Sequence, residues 1–87
     1  MGNVTAKVAP SSTDTNIKEL HRLSKYYFNR EKQETQLITK AMIEDKTAHA
    51  RIHAENATHH KRAAEFYLRM ALQMEALAAQ RPRRIRA

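Results

Sequence analysis

Between Pro10 and Pro82 the chain contains neither glycine nor proline. Those two residue types break helices most strongly, proline by removing a backbone donor and glycine through its backbone entropy. A stretch this long without either, rich in Ala, Glu, Lys, Arg, Gln, Leu and Met, has few choices besides helix. One interruption stands inside it. Glu44-Asp45-Lys46-Thr47 is the only polar break with capping residues, and it predicts a tight turn. The pattern therefore predicts a first helix over 16–44, a turn at 45–47 and a second helix over 48–80. Asn16 followed by Glu19 has the spacing of an N-cap with a carboxylate at the third helical position. Arg81-Pro82 should end the second helix, because proline also restricts the residue before it. Two long helices with so short a connection must run antiparallel. The expected fold is all-α: a long antiparallel two-helix hairpin, with a flexible lead at 1–15 and a basic tail, RPRRIRA, at 81–87.

With 87 residues the chain holds one small domain at most. Domains this small bury a modest fraction of their surface, and partners often supply the rest. Hydrophobic residues make up 41% and charged residues 29%, a balance that argues against disorder throughout. The absence of cysteine excludes a disulfide framework and a thiolate zinc site. That fits a cytoplasmic location, with the nucleus as the alternative. No apolar run approaches the ~18 residues of a membrane span, and the N-terminus lacks a secretory apolar core. Met1-Gly2 opens like an N-myristoylation signal, but Ala6 stands where that pattern wants Ser or Thr.

The formal net charge is +7, which suits an anionic partner. At ~100° per residue, Lys18, Arg22, Lys25, Lys32 and Lys40 fall on one side of the first helix, with no acid in their arc. Leu20, Leu23, Tyr27, Ile38, Ala41 and Met42 lie opposite. Solvated charged faces normally intersperse both signs, so this stripe reads as an anion-binding surface. On the second helix Ala48, Ile52, Asn56, His59, Ala63, Phe66, Met70, Met74 and Leu77 form one seam. Ala50, Ala57, Ala64, Leu68 and Ala71 widen it beyond what one antiparallel helix can cover, so the remainder needs neighbours. The residues expected to pack the hairpin or its assemblies are Leu20, Tyr27, Ile38, Ile52, Phe66, Leu68, Met70 and Leu77. Folding at the turn brings Ile38 to Ala54 and Tyr27 to Ala64 and Glu65. Glu31 and Glu34 sit awkwardly on the apolar side and are expected to pair with His59, Lys61 and Arg62. Arg51–Glu55 and Glu65–Arg69 have the spacing of ion pairs along one helix.

Catalysis finds no support. The chain has no Gly-rich phosphate loop and no strand–loop–helix setting for a nucleophile. Two of the five histidines, His49 and His53, are one helical turn apart, but two ligands do not make a structural zinc site. No enzyme activity, metal or cofactor is expected.

The segment Ala50–Ala57, ARIHAENA, then carries a resemblance. With Phe66, Leu68-Arg69-Met70 and Glu75-Ala76-Leu77-Ala78-Ala79 it resembles the second helix of the charged multivesicular body protein 1 family, which are ESCRT-III subunits. Lys18-Glu19-Leu20 and Lys40-Ala41-Met42 agree at matching spacing, so the resemblance covers about residues 17–80. It implies a helical hairpin that works in endosomal sorting and membrane remodelling, peripheral on the endosomal membrane. It also implies ESCRT-III subunits and copies of itself as partners. The basic stripe would meet anionic lipid and the wide apolar arc would meet neighbours. The family's turn often carries glycine, where this chain has Asp45-Lys46. RPRRIRA does not resemble the continuation of the family's second helix, and no contact with the family's AAA ATPase is expected from this chain. The rival reading is a basic hairpin that binds nucleic acid through phosphates.

Overall fold

The computed structural model describes residues 3–80, with side chains from Thr13 onward. Met1-Gly2 and the arginine tail at 81–87 lie outside the described residues. The fold is the expected antiparallel hairpin: α1 spans Asn3–Ile43 and α2 spans Thr47–Ala79. Its extents of 66 × 32 × 13 Å describe two rods side by side, one layer thick. α1 begins at Asn3, ahead of the start at Asn16 that the capping pattern predicts. An N-cap is a preference of about 1 kcal/mol and not a stop, and nothing between Ser11 and Asn16 forbids helix.

The turn closes by backbone alone. Asp45 takes φ 60°, the left-handed region that favours glycine. The Lys46 N–H donates to Ala41 O at 2.8 Å and the Asp45 N–H to Met42 O at 3.1 Å. These are the two bonds of a Schellman C-cap, with Asp45 in the glycine position. Asp reaches this region more readily than most residues, so the missing glycine leaves the turn intact. Lys46 then occupies the N-cap of α2 without a side-chain bond, and Ala50 N–H to Lys46 O, at 3.0 Å, opens the next helix.

The helices meet along a seam with seven-residue periodicity. On α1 it contains Ile17, Leu20, Ser24, Tyr27, Glu31, Glu34, Ile38 and Ala41. On α2 it contains Ala50, His53, Ala57, His60, Ala64, Tyr67, Ala71 and Met74. Every one of these residues is buried or half-buried. Their alternating spacing of three and four is that of an antiparallel coiled coil. The first residue of each α2 repeat is alanine, and three of those four are buried, Ala64 and Ala71 completely. Small side chains let the backbones approach. Ser24 Oγ donates to Ala64 O across the seam at 2.9 Å, and Ser24 is only 4% exposed. Tyr27 stacks between His60 and Tyr67, with ring centroids 6.0 and 5.8 Å away.

This seam corrects the expected one. Leu20, Tyr27 and Ile38 are half-buried within it, and Leu68 and Met70 lie half-buried at the edges. Ile52, Phe66 and Leu77 stay outside, 55%, 50% and 66% exposed. The alanines assigned to the margin form the true contact, because close approach rewards small residues there and leaves no room for large ones.

Candidate functional site

In heptad terms, with Ile17 and Ala50 at position a, the hairpin has two broad faces. The side bearing positions e and b shows itself through His21, whose ring bonds to Glu75 at 2.9 Å across the helices. Lys18, Lys25 and Lys32 all occupy position b of α1 on this side, each exposed. Seven residues rise by ~10.5 Å, so the three ammonium groups form an evenly spaced ladder along the rod. Arg51 and Lys61 of α2, also exposed, fall on the same side. Among the described residues none of these five cations has a carboxylate within ion-pair distance.

Two members of the expected stripe behave differently. Arg22 bonds the Glu19 carboxylate through two nitrogens, Nε at 3.0 Å and Nη2. That bond holds the Glu19 carboxyl below, and the Arg22 guanidinium above, its ordinary value. Arg22 therefore offers the surface little free charge. Lys40 is exposed but turns to the opposite side, where it borders a groove with Leu37, Glu44 and His49. A helical wheel at 100° per residue spreads position error over the 22 residues from Lys18 to Lys40, and the observed seam resolves it. The wheel treated α1 alone and so missed Arg51 and Lys61. Their b and e positions relative to the alanine repeat are the signal that would have found them.

The seam itself holds charge. His53 Nδ1 donates to Glu34 Oε1 at 2.7 Å, and Asn56 Nδ2 reaches the same oxygen at 3.5 Å. Glu34 is 9% exposed. The bond from His53 lowers its pKa most, outweighing the opposing loss of solvation, and Asn56 and the nearby His60 add to the lowering. The expected partners His59, Lys61 and Arg62 are exposed instead, because the alanine seam turns them outward. Arg51–Glu55 and Glu65–Arg69 make no ion pair. No group of three metal-ligating side chains gathers among the described residues, and no helix is long and apolar enough to cross a membrane.

The second broad face, on positions c and g, sets exposed apolar side chains beside Glu19, Gln33 and Lys40. Tyr26 and Leu37 of α1 and Ile52, Phe66 and Leu77 of α2 are all exposed there, whereas Leu72, 52% exposed, falls on the lysine side. Met42 and Ile43, 66% and 79% exposed, extend apolar surface around the tip. A second groove of about 400 Å³ opens at that end on the lysine side, lined by Ile38, Met42, Asp45, Ala50, Arg51 and Ala54.

Comparison with known proteins agrees with the resemblance carried by Ala50–Ala57. Charged multivesicular body protein 1b of Xenopus tropicalis is 45% identical over 62 residues, 71% of this chain and 31% of that protein. Charged multivesicular body protein 1B2 of Mus musculus matches to the same extent, and the 1b protein of Homo sapiens is 44% identical over the same length. The chain thus spans about a third of the length of the curated relatives it matches. No family model and no solved structure matches it.

Proposed function

We propose that this chain, similar over most of its length to charged multivesicular body proteins 1, is a non-enzymatic ESCRT-III-like hairpin of endosomal sorting and membrane remodelling. The lysine ladder carries the reading. Lys18, Lys25 and Lys32, joined by Arg51 and Lys61, lie along one side of a straight rod without acidic partners among the described residues. A cation held near an anionic membrane contributes roughly 1 kcal/mol. Several in line hold a peripheral protein on lipid while leaving the attachment sensitive to salt. The opposite apolar face is then free to meet other subunits, so the rod binds membrane on one side and assembles on the other. Location on the endosomal membrane and partnership with ESCRT-III subunits follow from the same reading.

Vesicle flotation tests it. The chain should float with phosphatidylserine vesicles and not with phosphatidylcholine alone, and Lys25→Glu combined with Lys32→Glu should abolish flotation. Equal flotation on neutral lipid, or a charge-reversed variant that still floats, would overturn the proposal.

A further inference from the structure

The lysine side is not uniformly polar. Its ladder has a fourth place, the b position at Thr39, and no cation stands there. Beyond Lys32 the side turns apolar instead: the tip groove opens between Ile38, Ala50 and Ala54, with Met42 lining it at 66% exposure. Leu72, 52% exposed, is a second apolar side chain on this side, 18 residues or ~27 Å along α2 from Ala54. Because Ser24 lies opposite Ala64, Leu72 falls near the Lys18 end of the ladder and the groove beyond its Lys32 end. Phe28 and Leu68, both at position e, are half-buried beneath the ladder. The acids of this side, Asp14, Glu65 and Glu75, are outnumbered by its five cations, and Glu75 is held by His21.

We propose that the lysine side is an amphipathic membrane face: the tip groove with Met42 at one end, and Leu72 at the other, enter the acyl boundary of an anionic bilayer while the lysines hold its headgroups. This rests on the membrane role given above to the ladder. It adds a lipid contact that charge alone does not make, the residues that make it, and the lie of the rod. Two apolar anchors on one straight side, with the cations between them, set the rod flat on the surface. Charge selects lipid as the occupant. The apolar contacts lie among cations without carboxylates in ion-pair distance, and a membrane supplies anion and hydrocarbon together along the whole rod. Lysine and arginine stems cover apolar surface while their heads stay at the phosphates, so Lys32 and Arg51 sit beside the anchors without conflict. Asp45 also lines the groove. A carboxylate resists removal from water, so the contact stays at the boundary of headgroups and acyl chains, the ~5–10 Å depth of an interfacial helix.

The chain has no tryptophan, so single engineered tryptophans report their own surroundings. Met42→Trp and Leu72→Trp should each shift emission to the blue on addition of phosphatidylserine vesicles. Lipids brominated near the carbonyl end of their acyl chains should quench both. Phe66→Trp, on the c and g face, should show neither response. All three positions are half exposed or more, so each variant should keep the helical circular dichroism of the parent. Met42→Ser combined with Leu72→Ser, with every lysine kept, should weaken vesicle binding about ten-fold. Flotation with neither anchor tryptophan quenched, or a serine variant that binds as tightly as the parent, would overturn the anchors and leave the lysine reading standing. A blue shift without quenching would mean a protein contact and would overturn lipid as the occupant. Quenching at 42 alone would overturn the flat lie of the rod, and quenching at 66 equal to that at 42 would overturn the choice of side. A chain that does not float at all would overturn both readings.

Discussion

Ala64→Leu sets hydrophobic gain directly against close approach. Leucine adds three carbons, and at ~0.8 kcal/mol for each buried methylene the nominal gain is about 2.4 kcal/mol. That gain requires space. Ala64 is 0% exposed and its carbonyl accepts a bond from the nearly buried Ser24 hydroxyl at 2.9 Å. A larger side chain must therefore leave the seam or drive the helices apart. Overpacking of this kind costs about 1–3 kcal/mol, and losing the Ser24 bond adds about 1 kcal/mol. The layers at Ala57 and Ala71 open with it, and the transfer gain is not collected because the leucine stays partly wet. A net loss of about 2–3 kcal/mol is expected, a fall in Tm of roughly 10–20 °C for a domain of this size. Thermal and urea unfolding followed by far-ultraviolet circular dichroism measure it, with exposed Ala76→Leu as a control that should move stability by less than about 0.5 kcal/mol. An Ala64→Leu chain as stable as the parent would refute the alanine-seam account.

Three further outcomes are expected. Glu34, with its carboxyl held below the usual 4.5 chiefly by the bond from His53, contributes stability that is fully present above pH 4.5 and is lost as pH falls through the lowered value. Glu34→Gln should therefore cost about 1 kcal/mol at neutral pH and flatten the acid limb of the stability curve, as read by urea titration across pH. Asp45→Gly should leave the hairpin at least as stable, whereas Asp45→Val should cost about 1–2 kcal/mol, because a β-branched residue resists the φ of 60°. Glu19→Gln should release Arg22 and strengthen binding to phosphatidylserine vesicles roughly five-fold, while Arg22→Ala should weaken it less than Lys25→Ala does.

Much of the hairpin was legible in the sequence. A glycine- and proline-free stretch interrupted only at Glu44–Thr47 leaves little choice of fold, and the short connection sets the direction of the helices. The antiparallel direction followed from the turn, and Tyr27 packs between His60 and Tyr67, the seam residues on either side of Ala64. The face of α2 that meets α1 was not legible by the same means. A hydrophobicity criterion ranks Ile52, Phe66 and Leu77 above any alanine and so selects the outward seam. Helix contact depends on how near the backbones come, and Ser24 opposite Ala64 permits an approach that no pairing of large residues would.

This inversion bears on what α2 is for. A hairpin selected for its own stability alone would place Ile52, Phe66 and Leu77 in the seam, since each buried large side chain stabilises by about 1.5–3 kcal/mol. Here α2 gives the seam alanines, histidines, Tyr67 and Met74, while Ile52, Phe66 and Leu77 stand on a face turned about 100° away, half exposed or more. Their three-and-four spacing argues against scattered surface residues, which are common and need no account. The helix instead carries two patterned faces, one against α1 and one open to solvent. The lysine ladder occupies the side that neither pattern uses. On the proposed function, membrane and partner would be engaged together without competing for the same residues, a division of faces that a rod one layer thick provides and a globular core does not.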